Sequence, residues 1–306
     1  MNPVTLHNGL IVAAYGRHFL VETDKGNRLI CHSRGKKSEG LVGDRILWQP
    51  TGADGMIEKI KERKNLLYRQ DSVRTKSFAA NLDQILILIA ASPEFSSSQL
   101  SRALIAAEAE HITPIIGLNK SDLIEPFARA WEWLIPYRQM HYGVLPLSLK
   151  QSAQVDREEL LKLLEGKTTL VLGPSGAGKS TLINLLAPSA LAQTREISQA
   201  LNSGKHTTTS TTWYWVDKSK TTAVIDSPGF QEFGLNHIEA ARLASYMPDL
   251  KRHALHCKFY NCSHLHEPGC GVLAAVKSDT HDGEISANRY KIYSDLYAEL
   301  SQPQRY

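Results

Sequence analysis

The stretch "KTTLVLGPSGAGKSTLINLLA", residues 167–187, decides how the rest of the chain is read. An apolar strand, "TTLVLG", runs into a glycine-rich loop, and the loop opens a helix, "KSTLINLLA". Gly173, Ser175, Gly176, Gly178, Lys179, Ser180 and Thr181 fit the pattern of a phosphate-binding loop. Glycines let successive backbone N–H groups turn inward around phosphate oxygens, at the positive end of the following helix. In such a loop Lys179 bridges the β- and γ-phosphate oxygens, and the Ser180 hydroxyl ligates Mg²⁺. A glycine-rich turn with no ligand is the bland alternative, and strand, loop and helix together weigh against it. The loop alone does not choose between ATP and GTP.

Outward from this stretch, strands and helices alternate. "LDQILILIAAS" reads as a continuous buried strand and "SQLSRALIAAEAEH" as a helix carrying Leu100, Leu104, Ala107 and His111 on one face. "ITPIIGL" is strand again, "EPFARAWEWLIPYRQM" helical, "GVLPLSL" strand and "DREELLKLLEG" helical. This rhythm predicts a mostly parallel sheet covered by helices.

The strand "ITPIIGL" ends in Asn119-Lys120-Ser121-Asp122. A carboxylate at Asp122 accepts from guanine N1–H and the 2-amino group, donors that adenine lacks, and sites built this way discriminate by roughly 10⁴ or more. Asn119 is expected to contact N7 and to tie this turn to the phosphate loop, with the Lys120 stem over the base. The tetrapeptide is weak alone and strong at a strand end beside a phosphate loop. Ser148 to Lys150, in "PLSLK", take the place of a second base-contacting turn.

Downstream of the phosphate loop, "TTAVIDSPGF" ends a strand in Asp226-x-x-Gly229. Asp226 is expected to hold Mg²⁺ through water, and the Gly229 amide to sense the γ-phosphate. Between them "SGKHTTTSTTWYWV" is rich in β-branched and hydroxylated residues and suits an extended switch segment. Thr208 is the expected Mg²⁺ ligand there, with Thr207 and Thr209 as neighbours in reserve. Phe230 stands where Ras-like enzymes place the glutamine that orients water. His206 is the nearest substitute, since a neutral imidazole accepts a hydrogen bond from the attacking water.

The base-reading turn thus precedes the phosphate loop. Joining "REELLKLLEG" to "KTTLVLG" restores a complete GTP-binding domain by circular permutation, which is tolerated where the original ends lie close together. Residues 71–236 form this unit. Residues 1–70 show short alternating strands joined at "DKGN", "LVGD" and "TGADG", as in a small barrel of OB or SH3-like type. The barrel loop "HSRGKKSEG" carries Arg34, Lys36 and Lys37; it is either solvated or contacts nucleic-acid phosphates. Cys31 reads as a small core residue.

Residues 237–306 form an α-rich tail in which Cys257, Cys262 and Cys270 cluster. With one histidine from among His253, His256, His264 and His266, they make a complete tetrahedral shell for structural Zn²⁺. Net charge is +4 over 306 residues, which permits a nucleic-acid partner without requiring one. No apolar run approaches a membrane span and no signal peptide is read at the N-terminus, so a cytoplasmic protein with no membrane partner is expected.

The motifs "NLDQILILIA", "NKSDL", "GPSGAGKSTLIN", "GKHTTT", "DSPGF" and "CKFYNCSHLHEPGCGV", in that order, closely resemble the bacterial small ribosomal subunit biogenesis GTPase family, RsgA (also called YjeQ or YloQ). The resemblance spans essentially the whole chain. It implies an N-terminal OB-fold, a permuted GTPase and a C-terminal zinc domain, with a role in late maturation of the small (30S) subunit and contact with its rRNA; a monomer is expected. It also implies subunit-stimulated hydrolysis of GTP to GDP, with His206 as the catalytic residue and His264 as the fourth zinc ligand. Departures are small: Ser227 for a usual Thr, Lys205 for a common Arg, and Leu149 for a usual small residue. The alternative reading is a zinc-bearing RNA-binding scaffold whose nucleotide site does not turn over; an ATP-dependent kinase conflicts with Asp122. Because the Asp226–Gly229 turn runs straight into the C-terminal unit, loss of the γ-phosphate is expected to reorient that unit.

Overall fold

The computed structural model describes residues 5–34, 39–71, 74–188, 190, 211–228, 233–276 and 283–302. Five strands, β1 (His7–Tyr15), β2 (His18–Thr23), β3 (Arg28–Ser33), β4 (Arg45–Thr51) and β5 (Asp54–Ile60), close on themselves in the order β1-β2-β3-β5-β4-β1. All neighbours are antiparallel except β3 and β5. This is the five-stranded Greek-key barrel of the OB-fold, which decides between the two barrel types open from sequence. Ile11, Phe19, Val21, Cys31, Ile46, Trp48 and Ile57 fill it. Leu10, Val12 and Leu20 point out of the barrel into the main core, which explains why β1 reads as nearly continuous apolar sequence.

Next comes a hairpin that the composition did not announce, β6 (Leu66–Gln70) with β7 (Thr75–Ala80). It wedges between barrel and sheet: the Ala80 amide donates to Val42 O at 3.0 Å. Gly43 makes this approach possible, because at φ +92 a Cβ there would lie 2.2 Å from Ala80 O.

The main sheet contains β8 (Gln84–Ala90), β9 (Thr113–Asn119), β10 (Gly143–Leu147), β11 (Thr168–Leu172), β12 (Thr212–Trp215) and β13 (Ala223–Asp226). Their spatial order is β10-β9-β8-β11-β13-β12, parallel except for β12, and β12 meets β1 through Thr212 and Ala13. Counted from the phosphate-loop strand β11, the order in space is 2-3-1-4-5-6, so moving the chain ends leaves the sheet whole. All seven residues of β8 are buried, as a strand covered on both faces requires. The covering helices are α1 (Ser97–Ala109), α2 (Ile124–Trp133), α3 (Ile135–Gln139), α4 (Ala153–Leu164) and α5 (Lys179–Leu186).

Two local readings are corrected. Helix α1 stops at Ala109, and His111 lies beyond it at φ +55, off the helical face assigned to it. "EPFARAWEWLIPYRQM" is two helices rather than one, because Pro136 lacks an N–H and its ring clashes with a continuing helix.

The C-terminal part holds a 3₁₀ turn (Ala240–Tyr246), α6 (Pro248–Ala254), α7 (Gly271–Ala275) and α8 (Ala287–Leu300). Arg289 of α8, 3% exposed, pins it to the helices of the central unit. Its guanidinium grips Asp249 at 2.8 and 3.0 Å, donates to Ser101 Oγ of α1 at 2.7 Å and lies 5.2 Å from the Tyr137 ring. No helix among the described residues is long and apolar enough to cross a membrane.

Candidate nucleotide site and metal centre

Parallel strands end at a common edge, and ligands bind outside their carboxyl ends. Here β9 ends at Asn119, β10 at Leu147, β11 at Leu172 and β13 at Asp226, so four separated motifs meet there. They enclose a cavity of about 720 Å³, the size of a small-molecule site. Asn119, Lys120, Asp122, Gly173, Ser175, Gly176, Gly178, Lys179, Ser180 and Thr181 line it.

At the phosphate end, Gly178 caps α5 at φ +104. A Cβ there would lie 2.4 Å from Asn119 Nδ2, so steric space as well as backbone conformation calls for glycine. Lys179 Nζ donates to Asp226 Oδ1. The Ser180 side chain is exposed toward the cavity, making no protein hydrogen bond among the described residues.

At the base end the polar groups engage one another. Asn119, 5% exposed, donates through Nδ2 to Ala177 O at 2.8 Å and accepts at Oδ1 from the Leu149 amide at 3.2 Å. One side chain therefore joins the base-reading turn, the phosphate loop and the second turn. Lys120, at φ +68, reaches Ser92 O with its ammonium group. Asp122 Oδ1 accepts from Ser148 Oγ at 2.7 Å, and Gln151 Nε2 stands 3.5 Å from Oδ2. The Ser148 amide in turn donates to Asp156 Oδ2 at 2.6 Å.

Ser92, Gln151 and Asp156 went unnoticed in sequence because no motif carries them; each enters through a contact across the sheet edge. His206, Thr208 and Gly229 lie outside the described residues, as do Lys36, Lys37, Lys205, Thr207, Thr209 and Phe230.

In the C-terminal part, the ligand atoms of Cys257, Cys262, His264 and Cys270 all lie within 4.8 Å of one another, an arrangement able to hold a metal ion. Cys257 Sγ is 3.4 Å from His264 Nδ1 and 3.8 Å from Cys270 Sγ, and Cys270 Sγ is 3.6 Å from His264 Nδ1. Backbone amides of Gly271 and Leu273 point at Cys257 Sγ and Cys270 Sγ from 3.3 and 3.4 Å, positions that favour thiolates. Burial lowers the His264 pKa and so keeps the imidazole neutral, the form a metal ligand needs. Of the rival histidines, His253 pairs with Glu284 at 3.2 Å, and His256 and His266 are exposed. Tyr290 and Tyr293 of α8 buttress the loop by donating to His264 O and Ser263 O at 3.0 and 2.7 Å.

Comparison with known proteins agrees with this architecture. The family model described as RsgA GTPase matches residues 60–236. A protein from Variovorax paradoxus (strain S110) named small ribosomal subunit biogenesis GTPase RsgA is 70% identical, over 97% of this chain and 93% of its own length. One of the same name from Burkholderia pseudomallei (strain K96243) is 51% identical, over 96% of this chain and 92% of its own. Among solved structures, the circularly permuted GTPase YloQ superposes with a TM-score of 0.72 at 29% identity, covering 99% of this chain and 98% of that one. YjeQ from Thermotoga maritima gives 0.72 at 28%, covering 98% and 100%. With the permuted sheet, the site at its edge and relatives matched almost end to end, the chain belongs to the RsgA family of circularly permuted GTPases.

Proposed function

We propose that this protein hydrolyses GTP to GDP and phosphate on the small ribosomal subunit and assists that subunit's biogenesis. The observation carrying this reading is the cavity where a phosphate loop and a guanine-type turn, encoded in inverted order, meet at one sheet edge. In it Asp122 reads N1–H and the 2-amino group of guanine, Asn119 reads N7, and Ser148 holds Asp122 in place. The amides of Gly173 to Ser180 and the Lys179 ammonium group take the phosphates. His206 orients the attacking water, an assignment carried by the family's motif, and the Gly229 amide senses the γ-phosphate.

Hard oxygen donors suit Mg²⁺, and this site has them: the Ser180 hydroxyl lies at the cavity, and the Asp226 carboxylate accepts from Lys179, which lines it. Ser180 and Thr208 would hold the ion, with Asp226 assisting. When bound, Mg²⁺ neutralises charge on the β- and γ-phosphate oxygens.

For the metal centre we assign one structural Zn²⁺. Tetrahedral Zn²⁺ with arms of about 2.3 Å to sulfur and 2.0–2.1 Å to nitrogen implies S···S edges of about 3.8 Å and S···N edges of about 3.5–3.6 Å. The edges between Cys257, Cys270 and His264 measure 3.8, 3.4 and 3.6 Å. Four protein ligands leave no open position, so the ion organises the fold and takes no part in hydrolysis.

The partners in this reading are the small subunit and its rRNA, met by a monomer in the cytoplasm, with working divisions near residues 70 and 236. A physical link from nucleotide to C-terminal unit is available: Arg102 of α1 donates to Phe233 O at 3.3 Å, just past the Asp226–Gly229 turn, and pairs with Glu299 of α8. The deciding experiment is GTP hydrolysis measured alone, with purified small subunits and with purified large subunits. Stimulation by small subunits alone is expected. Intact nucleotide and subunit binding without turnover would replace the enzyme by a scaffold.

A further inference from the structure

The base-reading carboxylate is held by a residue that itself needs an explanation. Asp156, in the first turns of α4, is 5% exposed, and no basic side chain pairs with it among the described residues. Among the described residues its carboxylate accepts one hydrogen bond, from the Ser148 amide at 2.6 Å. Burial raises its pKa, opposed by that amide bond, and Glu159 on the same helix raises it further. A buried carboxylate with one amide donor and no cation opposes folding. Turn 148–152 is already closed without it, by bonds from the Gln151 and Ser152 amides to Ser148 O at 3.0 and 2.8 Å.

What Asp156 adds is a fixed position for Ser148. With its amide held from the α4 side, the Ser148 hydroxyl points at Asp122 Oδ1, 2.7 Å away. That bond engages one oxygen and fixes the rotamer of the Asp122 carboxylate, which lines the cavity. Gln151, 3.5 Å from Oδ2, is too distant to compete strongly. We infer that Asp156 is a positioning residue for guanine selectivity, acting through the Ser148 amide and hydroxyl on the Asp122 carboxylate. The inference rests on the proposal that Asp122 reads guanine.

The test uses GDP, IDP and XDP affinities of the full-length protein, with thermal melting alongside. Hypoxanthine keeps N1–H and lacks the 2-amino group, so the GDP:IDP affinity ratio reports how well Asp122 is aligned. Asp156→Leu keeps the branched outline of the side chain, with bulkier methyls, and removes both charge and acceptor; Asp156→Asn keeps an acceptor oxygen. For Asp156→Leu the ratio is expected to fall at least about threefold, with GDP affinity down about tenfold, the worth of one lost orienting bond. Its melting temperature should stay close to wild type, because relief of a buried carboxylate offsets the Ser148 amide left without its acceptor. Asp156→Asn should stay within about twofold of wild type in the ratio, because the bond to the Ser148 amide survives.

An unchanged ratio in Asp156→Leu overturns the proposal, and so does an equal loss in Asp156→Asn. A large drop in melting temperature for Asp156→Leu makes Asp156 a scaffold residue and also overturns it. If wild type fails to prefer GDP over IDP and Asp122→Asn gains no XDP affinity, guanine reading itself falls. A strong wild-type preference that Asp156→Leu leaves intact removes only the role of Asp156.

Discussion

The two ends of the nucleotide cavity are held in opposite ways. At the base end, Asn119, Asp122 and Ser148 are fixed by hydrogen bonds to other protein groups, set before a base arrives. At the phosphate end, Lys179 and Asp226 hold each other, and in the proposed function both would be claimed by the nucleotide and its metal. The base end is preorganised, so binding there loses little to ordering. The phosphate end is an ion pair open to exchange: on the proposed assignment Lys179 would turn to phosphate oxygens and free the Asp226 carboxylate to help hold the metal. Selectivity is therefore stored in geometry and turnover in a change of partners.

The largest expected effect separates the ends outright. Asp122→Asn should erase a GTP preference of roughly 10⁴ and create use of XTP, with kcat for the accepted nucleotide near wild type. Unchanged GTP affinity would end the assignment of Asp122. Lys179→Ala should lower kcat/KM for GTP by about 10²–10³ while any bound nucleotide keeps its guanine preference. A Lys179→Ala protein that lost base selectivity would show that the ends are not independent.

Asn119 is where the contrast should fail, because it alone bonds to both ends. Asn119→Ala leaves the Leu149 amide and Ala177 carbonyl without their partner, at about 1–3 kcal/mol each. GDP affinity and phosphate-loop order should fall together, as read by titration and by hydrogen exchange at residues 173–180.

The smallest expected effect lies behind the phosphate end. His237 packs against Tyr68 with ring centroids 4.3 Å apart and planes tilted by 38°; its ring nitrogens are shielded from solvent and unpartnered among the described residues. Burial lowers its pKa to about 4. A histidine held neutral loses stability for the fold as pH drops from about 6.5, where the unfolded chain takes the proton, toward 4. The loss between pH 7 and pH 5 should be about 2 kcal/mol, and His237→Phe should remove it. Urea unfolding of both proteins at the two pH values checks this, and equal slopes would refute it.

What the sequence disclosed follows the same divide between local and distant. The phosphate loop and Asn119–Asp122 are contiguous, and each follows an apolar strand, so period and spacing find them. The barrel was legible through its turns, but strand order alone separates the OB type from an SH3-like one. The β6–β7 hairpin was not legible, since Arg69, Gln70 and Lys76 hide the alternation of Leu67 and Phe78. Asp156 and Ser92 belong to the site only because folding brings α4 and the end of β8 to its rim. Among four histidines near the cysteines, spacing could not choose; burial of His264, at 7% exposure, does.

The inverted order also fixes a timetable for synthesis. Strand β8 emerges early, and its pairing partner β11 lies far downstream, Gln84 meeting Thr169. At about 5–20 residues per second, the ribosome needs on the order of 4–17 s to supply it. Until then one edge of a strand that is apolar from Ile85 to Ala90 stands open, the kind of surface that recruits other chains. In the uncut order the phosphate-loop strand would already have been waiting. A factor serving ribosome assembly would thus place its own greatest aggregation hazard in the interval just after it leaves a ribosome's tunnel.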